Sequence, residues 1–210
     1  MKKVTICTIG IDEVGRGPLA GPVALGAVLI YKKHQKQVAK LFPVVKDSKK
    51  LSPKKRGEWL AKIKDAEKRK YLVTAVSFVS CQIIDKNGLS QSIRYALAGA
   101  LTKIENKHGK IDKNKTMVLL DGGLYAHESY KYQKTIIKGD EKELVIALAS
   151  IVAKVTRDAR MIKLGEKFPL YGFERHKGYG TRFHCEMIRK HGLTPHHRKS
   201  FLSRFNLDNG

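Results

Sequence analysis

A mixed α/β domain with a C-terminal helical extension is the fold class the sequence predicts, and three observations predict it. Strand-length apolar runs alternate with amphipathic helical stretches, giving three strands (a helix between the second and third), then helix, strand, strand and a long helix. Hydrophobic content is 42% over 210 residues, enough for a substantial core. From about residue 170 the composition turns to glycine, histidine and arginine, with no linker before it. Residues 1–210 are therefore expected to form one domain, with 170–210 as its basic helical extension.

Residues 4–11 alternate as a first strand, Ile9 and Ile11 on one side, Ile6 and Thr8 on the other. Residues 23–30 are apolar almost throughout, as in a strand buried on both faces. The basic stretch 31–40 is expected on the surface. Ser52 followed by Pro53 reads as an N-cap and first helical position, opening a helix to about Lys70 with Trp59, Leu60 and Ile63 inward. A third strand follows at 71–79. Leu89, Ile93, Leu97, Leu101 and Ile104 mark a helix ended by His108-Gly109. Strands at 116–120 and 134–138 precede a long helix, 141–168, apolar on most sides. One further helix is expected near 182–191.

The net charge of +23, from 42 basic and 19 acidic residues, points to a polyanionic partner, nucleic acid before an anionic membrane surface. No apolar stretch is long enough to span a bilayer, and Asp12 and Glu13 cut short the only signal-like start. Three cysteines without CxxC spacing fit reduced thiols in a cytoplasmic protein.

Carboxylates recur where strands end. Asp12 and Glu13 close the first, before a loop (15–22) rich in glycine and proline; Asp121 closes the fourth; Asp140 follows the fifth. Clustered acids repel, and hard divalent cations such as Mg²⁺ or Mn²⁺ offset that repulsion through oxygen ligands. On a basic protein the pattern suggests two-metal phosphodiester hydrolysis. Each acid also has a plainer role open to it: turn residue for Asp12, Glu13 and Asp121, capping-box helix start for Asp140. Adjacent strand residues face opposite ways, so Asp12 and Glu13 share a site only if the strand breaks there.

The sequence GIDEVGRGPLAGP at 10–22 resembles the opening signature of type 2 ribonucleases H, the bacterial ribonuclease HII group. DSKKLS (47–52), DGG (121–123), KGD (138–140), ASIVAKVTRD (149–158), YGFERHKGYGT (171–181) and HGLTPHHRKSF (191–201) continue the likeness in order, across nearly the whole chain. The resemblance implies a ribonuclease H-like fold, about five strands in a mixed sheet. It also implies endonucleolytic cleavage of RNA in RNA–DNA hybrids and beside single ribonucleotides in duplex DNA, leaving 5′-phosphate and 3′-hydroxyl ends. Asp12, Glu13, Asp121 and Asp140 match the metal-binding acids; Asp158 is a rival for the fourth, but Lys154 at i,i+4 accounts for it. Gly15, Arg16 and Gly17 match the loop that approaches the ribose, the glycines leaving room and Arg16 gripping a phosphate, and Tyr179 matches the residue that touches the 2′-hydroxyl.

Lys49, Lys50 and Ser52 are expected on backbone phosphates, as is a polar stripe of Ser150, Lys154 and Arg157 on the long helix. His176, His184, His191, His196 and His197 are too loosely spaced for zinc and are expected on a DNA-facing basic surface. A monomer is expected, with grip on the duplex coming from the catalytic domain and its tail. Two other readings are a junction-cleaving nuclease of related fold and a non-catalytic nucleic-acid-binding protein.

Overall fold

The computed structural model describes residues 5–43, 51–109 and 111–202. Five strands, β1 (Cys7–Val14), β2 (Val23–Tyr31), β3 (Leu72–Val79), β4 (Thr116–Asp121) and β5 (Tyr132–Ile136), form one sheet in the order β3-β2-β1-β4-β5. β2 runs antiparallel to both β1 and β3; β4 lies parallel to both β1 and β5. This is the mixed sheet the sequence predicts, and β2 is buried at every position before Tyr31.

Helices α1 (Gln35–Leu41), α2 (Pro53–Lys68), α3 (Cys81–His108), α4 (Gly139–Lys142) and α5 (Leu144–Lys167) flank it. On one face Ile9, Ile11, Leu25 and Leu29 pack with Ile93, Leu97, Leu101 and Ile104 of α3. On the other, Val28 and Ile30 pack with Leu148 and Val152 of α5, Val38 of α1 and Ile63 of α2. Two strand glycines set the α5 spacing. A Cβ on Gly10 would collide with the Val145 carbonyl group, and one on Gly26 with the carbonyl oxygen of Ala149. The helix backbone therefore lies directly against β1 and β2.

A third cluster, with Leu19, Met161, Tyr171, Phe173, Ile188 and Leu202, seats the tail helices α6 (Phe173–His176), α7 (Arg182–His191) and α8 (Lys199–Leu202) against α5 and the 15–22 loop. Among the described residues no helix is long and apolar enough to cross a membrane.

Several boundaries differ from the sequence reading. The basic stretch after β2 forms a helical turn and then α1, because Val38 turns inward. Helical structure begins at Cys81, not Leu89, and passes through Gly88 at φ 77°, where the backbone leaves helical geometry. The predicted 141–168 helix is broken at Glu143, which is extended (φ −122°, ψ 117°), so that α4 turns separately from α5. β5 ends two residues early, and Gly122 donates its amide to the Ile136 carbonyl there.

Candidate active site

Parallel pairing sets the register at the carboxyl ends of β1 and β4. Ile11 is paired with Leu120, so the next residues on each strand, Asp12 and Asp121, emerge side by side. That edge is where open α/β sheets place their ligands. The strand does not break at the acids as expected. β1 stays paired with β2 through Val14, Asp12 opposite Gly26 and Glu13 opposite Leu25; it is the pairing with β4 that stops at Ile11. Beyond that point one side of β1 is open, and both side chains reach the same space despite their alternation.

A cavity of about 350 Å³ occupies this edge, lined by Asp12, Glu13, Asp121, Ser150, Lys154 and Tyr179, together with Val14, Arg56 and Ile151. Asp12 is buried (6% exposed), and its carboxyl pKa is pushed up to about 8. Burial is the main cause; a hydrogen bond with Ser150 opposes it, and the charges of Asp121, Glu13 and Asp140 add to it. Asp140 is fully buried in α4 and acts on Asp12 through charge without lining the cavity. Its neighbour Gly139 donates its amide to Asp121 Oδ1 at 2.6 Å, which ties the two acids together.

The carboxylates also engage local donors. Asp12 Oδ1 accepts from the Glu13 amide at 2.8 Å, and Glu13 Oε1 pairs with Arg16 at 2.8 Å. Among the described residues no three acid, histidine or cysteine side chains form a ready-made metal cage. Glu13 Oε2, however, is buried and accepts no hydrogen bond among the described residues. An oxygen-only donor set, an acid whose proton affinity is raised by burial and by its acidic neighbours, and one orphaned carboxylate oxygen together fit a hard divalent cation.

The glycines of the loop after β1 are bare for different reasons. At Gly15 (φ 85°) the space a side chain would take belongs to the Arg157 guanidinium. Gly17 is the open one: its Cβ would meet only the Tyr179 ring, at 3.9 Å. Tyr179 is 42% exposed beside it.

Arg157 is a correction. It is fully buried and donates to the carbonyls of Pro22 (2.9 Å), Lys177 (3.1 Å) and Ala20 (3.4 Å), so it cannot contact a phosphate. Ser150 and Lys154, two turns and one turn earlier on the same stripe, do line the cavity; Lys154 also pairs with Asp158 at 2.9 Å. Ser52 caps α2, accepting from the Lys55 amide, while Lys49 and Lys50 lie outside the described residues. Arg56, which the sequence reading passed over, reaches the cavity from the first turn of α2 and donates to the Leu51 carbonyl at 2.6 Å.

The histidines need a second correction. His184 and His197 are buried against Tyr171 and Phe173, not on a DNA-facing surface. Their Nε2 atoms are 3.1 Å apart. His184 Nδ1 lies 2.8 Å from the Tyr179 carbonyl and must donate to it, while His197 Nδ1 accepts from the Thr194 amide at 2.9 Å. One consistent proton assignment results: His197 Nε2–H donates to His184 Nε2, and both rings are neutral. Burial pulls both pKa values down to about 4.

Comparison with known proteins follows the same path. The family model described as Ribonuclease HII matches residues 9–206. The chain belongs to the ribonuclease HII family. Ribonuclease HII of Bacillus thuringiensis (strain Al Hakam) is 42% identical over 194 residues, covering 91% of this chain and 67% of that protein. The Ribonuclease HII of Endomicrobium trichonymphae is 40% identical over 192 residues, covering 91% and 83%. Among solved structures, the complex of PCNA with RNase HII from Archaeoglobus fulgidus has a chain matching at TM-score 0.73 and 26% identity, with 97% of both chains covered. Membership of the ribonuclease HII family makes the protein a hydrolase, a ribonuclease H-type endonuclease acting on RNA–DNA hybrids, and the sheet is the ribonuclease H-like one expected.

Proposed function

We propose that this ribonuclease HII family member also incises on the 5′ side of single ribonucleotides in duplex DNA, by two-metal hydrolysis with Mg²⁺ or Mn²⁺. The observation that carries this reading is the sharing of one cavity by Asp12, Glu13, Asp121 and Tyr179. Asp12, Glu13 and Asp121 would hold the ions, with buried Asp140 completing the negative charge behind them. When bound, such ions supply Lewis acidity toward the scissile phosphate and lower the pKa of attacking water.

The chain's own residues do the rest. Lys154 and Arg56 bring positive charge to the cavity wall, where a strand's phosphates pass. Arg16 leaves Glu13 for a substrate phosphate, its exposed planar fork suited to that grip. Gly17 lies beside Tyr179, whose ring lines the cavity, and only a ribose presents a 2′-hydroxyl to the pair. The products carry 5′-phosphate and 3′-hydroxyl ends.

The test is a labelled duplex carrying one ribonucleotide, incubated with and without divalent metal. Nicking on the ribonucleotide's 5′ side, dependent on metal, is expected. Equal cutting of all-DNA duplex, or cutting that persists under chelation, would overturn the reading.

A further inference from the structure

The tail is bonded to the 15–22 loop along its length. Ala20 and His197 form an antiparallel bridge, the Gly21 amide donates to the His196 carbonyl, and the Arg198 amide donates to the Leu19 carbonyl, the latter two at 2.8 Å. From this seam the Arg198 side chain runs beneath the loop, fully buried. Its Nε donates to the Gly21 carbonyl (2.9 Å), Nη1 to that of Arg16 (2.9 Å) and Nη2 to that of Gly15 (2.7 Å). The guanidinium carbon stands 5.0 Å from the centre of the Phe201 ring, a cation–π seat that fixes its plane.

Two consecutive carbonyls gathered onto one guanidinium turn the intervening peptide N–H groups the other way, the concave arrangement that receives electron-rich groups. Among the described residues, the amides of Arg16 and Gly17, the N–H groups of those two peptides, make no hydrogen bond, and both residues are exposed. A flexible loop would have to order itself on each encounter with substrate; this one is held already.

We propose that Arg198 is a positioning residue, whose fork holds the Gly15 and Arg16 carbonyls inward and so presents the amides of Arg16 and Gly17, preformed, to the sugar. It touches no substrate itself. Lysine cannot replace it, since one ammonium cannot span three carbonyls in a plane. The assignment rests on the reading of the 15–17 loop as the part that inspects the ribose.

The experiment compares wild type with R198K on duplex bearing one ribonucleotide, measuring kcat and KM, and separately measures binding to all-DNA duplex. Displacing a positioning contact by about 1 Å costs on the order of 100-fold in rate. R198K is expected to lose about 10- to 100-fold in kcat. Affinity for all-DNA duplex, set by general charge, should move less than about threefold. A merely structural role would lower both together, or neither. F201L, which removes only the ring under the guanidinium, should shift kcat in the same direction by a few-fold and carries the test if R198K does not fold. A folded variant with wild-type kcat overturns the role of Arg198. Wild-type protein that cuts all-DNA duplex as fast as ribonucleotide-bearing duplex overturns the ribose-reading loop instead, so the two failures are distinguishable.

Discussion

At the carboxyl ends of β1 and β4, Asp12, Glu13 and Asp121 share a cavity and crowd one another's charge. Below the 15–22 loop, Arg157 and Arg198 lie buried with like charge too, yet each donates to three main-chain carbonyls. Burial and the proximity of Arg157 lower the Arg198 pKa only to about 10, so it remains charged at neutral pH. Unsatisfied like charge waits for something from solution; satisfied like charge has become framework. Removing an acid should therefore cost activity and leave the fold intact, whereas removing an arginine should disturb the loop it frames, and activity only through that loop.

The largest effect expected is on chemistry. Asp12→Asn should lower kcat on hybrid substrate by on the order of 1000-fold, while duplex binding and the melting temperature hold or rise, because a buried like charge is gone. A wild-type rate would remove Asp12 from the metal-holding set. Next comes Arg157→Met. Orphaning three buried carbonyls should reduce the unfolding free energy by about 3–5 kcal/mol in denaturant titration. A change below about 1 kcal/mol would mean that the loop finds other donors.

The histidine pair offers a pH test of the same framework. Its folded pKa values, about 4, lie below the unfolded value near 6.5, so the unfolded chain binds more protons between them. Stability is thus complete above pH 6.5 and falls by up to about 1.4 kcal/mol per pH unit for each histidine as pH drops toward 4. The groups facing the pair are His176, stacked on His184 at 4.4 Å, and His196, both of which oppose protonation through charge. Melting curves from pH 7 to 4.5 should show this slope, and His197→Gln should flatten it. The smallest effect belongs to Asp158. Asp158→Asn breaks a partly exposed i,i+4 pair with Lys154, worth about 0.5 kcal/mol, and should leave kcat within about twofold. A large loss of activity would move Asp158 into the site in place of Asp140.

The sheet, the α3 and α5 helices and the acids at the strand ends were legible because period and punctuation report local structure directly. What covers a polar side chain is not a local property. Ser150, Lys154 and Arg157 lie on one helical stripe, as their spacing predicts, but the cavity covers its first part and the 20–22 loop its last. His184 and His197 read as basic surface because a neutral buried imidazole and an exposed one share the same letter. The break at Glu143 was hidden by good helix formers on both sides, and Arg56 by the density of lysines around it.

Gly26 stands opposite Asp12 in the β1–β2 ladder, and the space where its side chain would be belongs to the carbonyl of Ala149, the residue before Ser150. A single methyl at this position, remote from any substrate, would lift α5 off the sheet and draw the Ser150 hydroxyl away from the Asp12 carboxyl. The seating of Ser150 beside the central acid thus depends on a spacer, the bare face of a glycine, whose chemistry is nil and whose thickness is everything.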